Sequence, residues 1–440
     1  MTFLEFLRNK AFWTLDSLKG SPVKHALSKI EELELGGVTD NQIVTYQKEE
    51  LDKLLKHCIK TVPAYQKMSG TDLNGWPVVN KNVLRENKDA HLSTAFSHDR
   101  LISMSTSGST GTPFSCLQDM NKKKHVNAEV MYYSGRTGYK IGRRIIFIRS
   151  LVKKVGKSPL QQFMQNIYLI NCKDFSDKGI ENMLRRIKEL SEGSGAMILS
   201  YASTLDAFRK YFEKHGFDAA DGCNICGIIS GSEMLYDVTR NSMEKAFRCK
   251  CFSRYSNEEN GVIGQDSVQN NVFFYNRASY IVEILKFTSD EPVAIGEVGR
   301  IVITDLFNYA MPMIRYDTGD AGAWVEIDYN GGIRKAIGNF AGRAVDMIFD
   351  CEGNQISPHS ITNGMWKFEG IKQFQFIQKT KTDYLIKINH GSSFDENELL
   401  DVLHDVVGRD ANIQIEIVDD IPILASGKRR YIVNEVINQL

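Results

Sequence analysis

The sequence predicts an α/β protein: a large multi-layer α/β domain followed by a small α+β domain at the carboxyl end. Three observations predict it. Across residues 101–303, short β-branched or aliphatic runs alternate with longer helical stretches, as parallel strands covered by helices require. The region beyond residue 345 instead gives strands around a single helix. The chain of 440 residues, 42% of them apolar, is long enough for two or three domains with large cores.

Taken in order, residues 1–60 read as helical. Phe3, Leu4, Leu7, Phe12, Leu15 and Leu18 recur near the helical period, and Gly20, Ser21 and Pro22 punctuate the end. A second amphipathic run covers 47–58. The mixture of Glu, Asp, Arg and Lys on the polar face favours packing on the protein's own domain, while a peripheral membrane contact stays open. Strand-like runs follow at 144–148, 195–200, 224–230 and 248–255, and between them residues 177–190 keep Ile180, Met183, Ile187 and Leu190 at core spacing. Turn signals at Asp317, Gly319, Asp320, Gly322, Gly331 and Gly332 close the larger unit, and 338–342 reads as a linker. The expected domains are therefore 1–340, with its helical segment 1–60, and 345–440. Within the second, strands are expected at 374–378, 383–389 and 413–418, and a helix over Glu396–Val407.

Composition excludes several function classes. With 54 Lys+Arg against 54 Asp+Glu the formal net charge is zero, so no general affinity for nucleic acid is expected. No stretch reaches about 18 uninterrupted apolar residues, and no transmembrane segment is expected. The cysteines are scattered, and the first turns carry Glu5, Arg8, Lys10, Asp16 and Lys19 where a signal peptide has an apolar core. Reduced thiols and a cytoplasmic location follow. A homodimer is the assembly expected from the prevalence of twofold symmetry.

The strongest local motif is Ser105, Thr106, Ser107, Gly108, Ser109, Thr110, Gly111, Thr112 and Pro113. Its glycines let several backbone N–H groups converge and its hydroxyls add donors, a composition that suits a polyphosphate. The glycines are too close together for a Walker loop, and no Lys follows them. Later in the chain, Ser230, Gly231, Ser232 and Glu233 end one strand-like run, where ligands of parallel sheets bind. Arg254, Tyr255, Ser256, Asn257, Glu258 and Glu259 end another. Tyr316 to Asp320, then Gly342, Arg343, Ala344, Val345 and Asp346, and finally Ser426 to Arg430, complete the series.

In order and spacing this series resembles the core motifs of the adenylate-forming enzymes, and within them the phenylacetate–CoA ligase family. The segment Trp76, Pro77, Val78, Val79, Asn80 and Lys81 fits the same family. The opening helix, with Phe12, Trp13, Leu15, Asp16, Leu18, Lys19 and Gly20, is similar to the CapK branch, which is linked to capsular polysaccharide synthesis. The resemblance implies activation of a small carboxylic acid by ATP and Mg²⁺ and acyl transfer to CoA. The CapK-like opening implies a second acceptor, the amine of a sugar or amino acid. A nucleotide-binding homologue without turnover is the third reading.

The resemblance also implies roles. Thr106 to Thr112 wrap the β and γ phosphates of ATP, which must be held while the α-phosphorus is attacked. Tyr255 lies against adenine, with Gly231, Ser232 and Glu233 lining the same pocket and Arg254, Ser256 and Asn257 beside it. Glu259 is the magnesium-associated carboxylate, chosen over Glu258 by its spacing from Tyr255. Asp320 accepts from the ribose hydroxyls, Arg343 meets ribose or phosphate, and Lys428 bridges the substrate carboxylate and the α-phosphate. Ser230, His125, Tyr132 and Tyr133 fall where relatives place acid-binding residues, although core packing explains the last three equally well.

Three positions depart from the family pattern: Phe114 follows the phosphate-loop proline, Asp317 replaces an Arg, and Val345 stands at the hinge. Asp317 and Val345 motivate the third reading, and retention of Glu259, Asp320 and Lys428 speaks against it. Cys223, Cys226, Cys249 and Cys251 have a stoichiometry that suits Zn²⁺, but both pairs fall in strand-like runs, which favours buried thiols.

Overall fold

The computed structural model describes residues 1–34, 38–106, 114–149, 158–172, 174–266, 269–329, 332–343, 348–353, 355–356, 358–365, 367–368, 370–422 and 431–436. Two compact units emerge. The first comprises Met1–Glu283, Val302–Thr318 and Val325–Ile337, the second Ile284–Ile301, Gly319–Trp324 and Gly338–Leu440.

The helical opening is three helices. α1 (Phe3–Leu18) begins with a capping box in which Thr2 and Glu5 satisfy each other's backbone N–H groups. Gly20 and Ser21 both take positive φ, and Pro22 then starts α2 (Pro22–Glu34), as a proline at the first helical position does. α3 (Asp40–Thr61) is capped by Thr39 and Gln42 in the same way. A short α4 (Lys81–Glu86) is capped by Asn80, whose side chain accepts from the N–H groups of Asn82 and Val83. β1 (Ile102–Thr106) and β2 (Phe114–Gln118) pair antiparallel, and Asp119 caps α5 (Met120–Gly135).

The alternation expected from the sequence follows: β3 (Arg144–Arg149), α6 (Pro159–Gln165), β4 (Ile167–Asn171), α7 (Asp177–Ser191), β5 (Ala196–Tyr201), α8 (Ala202–His215), β6 (Ile225–Gly231), α9 (Asp237–Phe247) and β7 (Cys251–Asn257). Neighbours in the order β4-β3-β5-β6-β7 are parallel. The apolar stripe of α7 (Ile180, Met183, Ile187 and Leu190) is buried with Ile146, Ile198 and Ile228 of the sheet and Phe208 and Phe212 of α8. Each such side chain contributes about 1.5–3 kcal/mol of transfer free energy.

Six further strands extend the sheet: β8 (Gly261–Asp266), β9 (Phe273–Tyr275), β10 (Tyr280–Leu285), β11 (Val298–Asp305), β12 (Tyr316–Tyr329) and β13 (Gly332–Arg343), with β7–β8, β8–β9 and β9–β13 pairing antiparallel. Among the described residues the eleven strands run β10-β11-β12-β13-β9-β8-β7-β6-β5-β3-β4. Here the turn signals mislead. Asp317, Gly319, Asp320 and Gly322 all lie inside β12, because Gly319 alone of these takes positive φ and the alternate Ala321 and Ala323 are fully buried, as a paired strand demands. The expected linker glycine Gly338 is likewise in β13.

The second unit holds β14 (Ile348–Phe349), β15 (Gln355–Ile356), α10 (Pro358–Met365), β16 (Ile371–Gln378), β17 (Asp383–His390), α11 (Glu396–Val407), β18 (Asn412–Ile417) and β19 (Ile432–Asn434). Its four-stranded sheet has the order β18-β17-β16-β19. Phe376, Ile386 and Ile388 bury one face against Leu399, Leu403 and Val407 of α11, which accounts for the period-two and 3.6-residue patterns visible in the sequence.

Candidate active site

The carboxyl ends of β5, β6 and β7 are in register: Tyr201 opposes Gly231, and Gly231 opposes Arg254. Ligands of parallel α/β sheets bind at such ends. Gly231 leaves the edge bare, with nothing within 4 Å of where its Cβ would stand, and Ser232 turns the chain away with φ +69°. Ser230 is buried between Ser200 and Ser253 on the flanking strands, and its Oγ has no hydrogen-bond partner among the described residues. Glu233 accepts the Ser203 N–H at 2.8 Å, which sets its carboxylate at the positive end of α8.

Beyond β7 a tight turn is locked by Asn257, whose side-chain oxygen accepts the Asn260 N–H at 2.8 Å. The turn separates the two candidate carboxylates: Glu258 is exposed and Glu259 is buried. Glu259 Oε1 is 2.7 Å from Lys81 Nζ and accepts from Tyr316 OH at 3.2 Å. Its main-chain carbonyl accepts from Gln118 Nε2 at 3.0 Å. Oε2, equally buried, has no hydrogen-bond partner among the described residues. A buried carboxylate oxygen without a donor suits a hard cation such as Mg²⁺, which takes one or two protein oxygens and completes its shell with phosphate and water.

Lys81 and Tyr316 meet Glu259 because their segments are stitched together. Val79 N–H donates to Arg315 O at 3.0 Å, and Asp317 N–H donates to Val79 O at 2.7 Å. Arg315 donates to Trp76 O at 3.0 Å and forms a forked pair with Glu283 at 2.9 and 3.1 Å. Tyr255 is buried on the strand leading to this turn, its hydroxyl 3.3 Å from Thr318 Oγ1.

Residues 348–435 match the CapK C-terminal domain, and protein CapK of Staphylococcus aureus is 22% identical over 391 residues, or 84% of this chain and 82% of that protein. The chain is thus similar to CapK over most of its length. Its fold is that of the adenylate-forming ligases. A 2-hydroxyisobutyryl-CoA ligase in the postadenylation state, in complex with R3-HIB-AMP, superposes with a TM-score of 0.70 at 14% identity, covering 91% of this chain and 90% of that one. The same ligase with 2-HIB-AMP and CoA gives 0.57 at 14% identity, over 91% and 92%. ATP-bound MatB from Rhodopseudomonas palustris gives 0.55 at 14% identity, over 76% and 68%.

The remaining expected site residues fall in three groups. Ser256 and Asn257 are half-buried at the end of β7, and Asp320 is half-buried in β12, one residue beyond Gly319. Arg254 instead points into the protein, where it donates to Gln265 at 3.2 and 3.3 Å and to Ser134 at 3.1 Å, and burial lowers its guanidinium to about 10. His125 stacks on Phe307 with ring centroids 3.6 Å apart, and burial with the nearby Lys122 ammonium pushes it down to about 3. Tyr132 and Tyr133 pack in the core against Val23, Ala26 and Ile30 of α2. Thr106 ends β1 and Arg343 ends β13; their side chains, together with Ser107, Gly108, Ser109, Thr110, Gly111, Thr112 and Lys428, lie outside the described residues.

The sequence assigns no site role to Lys81, Tyr316 or Gln118. The Asn80 cap before Lys81 signals only a helix start, and nothing local signals convergence on Glu259. As for the cysteines, Cys223, Cys249 and Cys251 belong to the core beneath α7–α9, while Cys226 packs with Tyr139, Ile145 and Met197. Burial raises all four thiols, and no group of metal-ligating side chains forms among the described residues.

Proposed function

We propose that this protein is an adenylate-forming ligase that joins a carboxylic acid to AMP and then passes the acyl group to CoA. The observation that carries the reading is Glu259: a buried carboxylate, one oxygen paired with Lys81 and Tyr316 and the other without a donor among the described residues, on the turn that follows the carboxyl end of β7. In the first half-reaction a substrate carboxylate oxygen attacks the α-phosphorus of ATP, the bond to the β-phosphate oxygen breaks, and pyrophosphate leaves. A bound Mg²⁺ supplies charge neutralisation on the phosphates, with Glu259 as its protein oxygen.

The chain's own groups then divide the work. Ser107 to Thr112 hold the departing phosphates, Tyr255 lies on adenine, Asp320 accepts from the ribose hydroxyls, and Arg343 faces ribose or phosphate. Lys428 bridges the two anions as they approach, which offsets their repulsion. In the second half-reaction the thiolate of CoA attacks the acyl carbonyl, the thiol proton having gone to solvent. The C–O bond to AMP breaks and AMP departs. The 2-hydroxyisobutyryl-CoA ligase of the same fold, in complex with an acyl-AMP and CoA, supports the thioester reading. A second acceptor, the amine of a sugar or amino acid, is the alternative that the CapK-like opening of the sequence implies.

Discharge of the acyl-adenylate separates them. Acyl-AMP formed from ATP and acid is expected to yield an acyl-thioester when CoA is added. Discharge by amines alone would replace CoA as acceptor, and discharge by neither would remove both while sparing adenylation.

A further inference from the structure

The first helix is turned inside out. Its two acidic residues face the protein: buried Glu5 accepts from Thr2 N–H at 2.8 Å and Ser194 Oγ at 2.6 Å, and buried Asp16 accepts the N–H groups of Val23 and Lys24 at 3.1 and 3.0 Å. Phe12 packs against the core beside α2, but most of the other large apolar side chains face outward. Phe3 is 74% exposed and Leu18 79%, with Leu4, Phe6, Leu7 and Leu15 exposed between them. Leu4, Leu7, Ala11, Leu15 and Leu18 recur every three or four residues, so they form one stripe about 20 Å long. α6 adds exposed Leu160, Phe163 and Met164. Arg8 ties the two helices, donating to Phe163 O at 2.8 Å with its guanidinium 4.9 Å from the Phe163 ring centroid.

A helix on a water-facing surface buries its apolar stripe and solvates its charges. Here capping and side-chain hydrogen bonds hold the polar edge to the protein, and the stripe is left for an apolar medium. Charge selects which medium. With Glu5 and Asp16 engaged inside, the ionic side chains left on α1 and the first turn of α2 are Arg8, Lys10, Lys19 and Lys24, all cationic. A twofold contact with a second copy sets like charges against one another, whereas an anionic lipid surface complements them.

We propose that α1 and α6 dock this protein onto an anionic phospholipid bilayer, with α1 lying in the plane of the interface. The mixed charge of the helix, which in the sequence favours internal packing, does not oppose this, because its acids are on the protein side. No described helix is long and apolar enough to cross a bilayer.

Vesicle co-sedimentation of the full chain tests the proposal, with phosphatidylglycerol–phosphatidylcholine mixtures against phosphatidylcholine alone. The protein is expected to pellet with the anionic vesicles and to be released as salt rises to about 0.5 M. Leu7→Glu/Leu15→Glu is expected to lower the bound fraction about tenfold or more, and Lys10→Glu/Lys19→Glu to weaken binding with the stripe intact. Matching thermal midpoints show that both variants fold. Failure to bind anionic vesicles, or equal binding to phosphatidylcholine alone, overturns the proposal. So does a lipid-free dimer that Leu7→Glu/Leu15→Glu dissociates, because the stripe is then a subunit contact.

Discussion

Replacing Lys81 by Met probes the Glu259 carboxylate without touching it. Glu259 is 1% exposed and Lys81 31%, with 2.7 Å between their charged atoms. Removing one partner of a fully buried pair costs about 3–5 kcal/mol, because the other charge is left uncompensated. The partial exposure of Lys81 lets water share the work, and Tyr316 still donates, so roughly half that range, about 2 kcal/mol, is the expected loss. At about 1.5 °C per kcal/mol for a unit of roughly 310 residues, the thermal midpoint should fall by about 3 °C. A divalent cation held by Glu259 would supply the missing positive charge. Linkage then requires the variant to gain more from Mg–ATP than the wild type does, by up to about 30-fold in affinity for the same 2 kcal/mol. Thermal melts with and without Mg–ATP, joined to titration calorimetry, read both numbers. An unchanged midpoint, or equal stabilisation of the two proteins by Mg–ATP, refutes the reasoning.

Other perturbations test neighbouring parts. Lys122, fully buried, pairs with Asp305 at 2.7 Å and Glu129 at 3.7 Å, and Lys122→Met should destabilise by about 3–5 kcal/mol in denaturant melts while His125 and Phe307 keep their stacking. His125 is neutral in the fold to about pH 3 but takes up a proton near pH 6.5 when unfolded, so its contribution is present above pH 6.5 and fades as pH falls from there towards 3. One-site linkage puts the loss at about 2 kcal/mol by pH 5, and His125→Leu should flatten the acid limb of the stability–pH curve by that amount. Lys428→Ala should lower pyrophosphate release by at least about a hundredfold while ATP binding survives, and unchanged release would remove Lys428 from the catalytic set.

Much of the fold is legible because its central strands are parallel and buried on both faces. Such strands read as continuous apolar runs, and 144–148 and 224–230 fall within β3 and nearly coincide with β6. The same logic fails at β12, where small residues let strands pack closely and glycine imitates a turn. The site is legible to the extent that it is local: Tyr255 and Glu259 stand on one strand and its turn. Arg254 is adjacent in sequence yet faces the opposite side, an outcome fixed by strand alternation and by its bonds to Gln265 and Ser134. Lys81 and Tyr316 reach Glu259 only through tertiary pairing of Val79 with β12, which no local pattern encodes. The outward stripe of α1 is hidden for a related reason: periodicity identifies an amphipathic helix but not which face meets the protein.

The central claim is most directly tested by ATP-dependent pyrophosphate release with Mg²⁺ over a panel of aromatic, branched aliphatic and amino acids, with CoA present or omitted, comparing wild type with Glu259→Gln. The account predicts release with at least one acid in the absence of CoA, and a loss of about a hundredfold in the variant. Silence across the panel from a protein that still binds ATP, or equal release by Glu259→Gln, contradicts it.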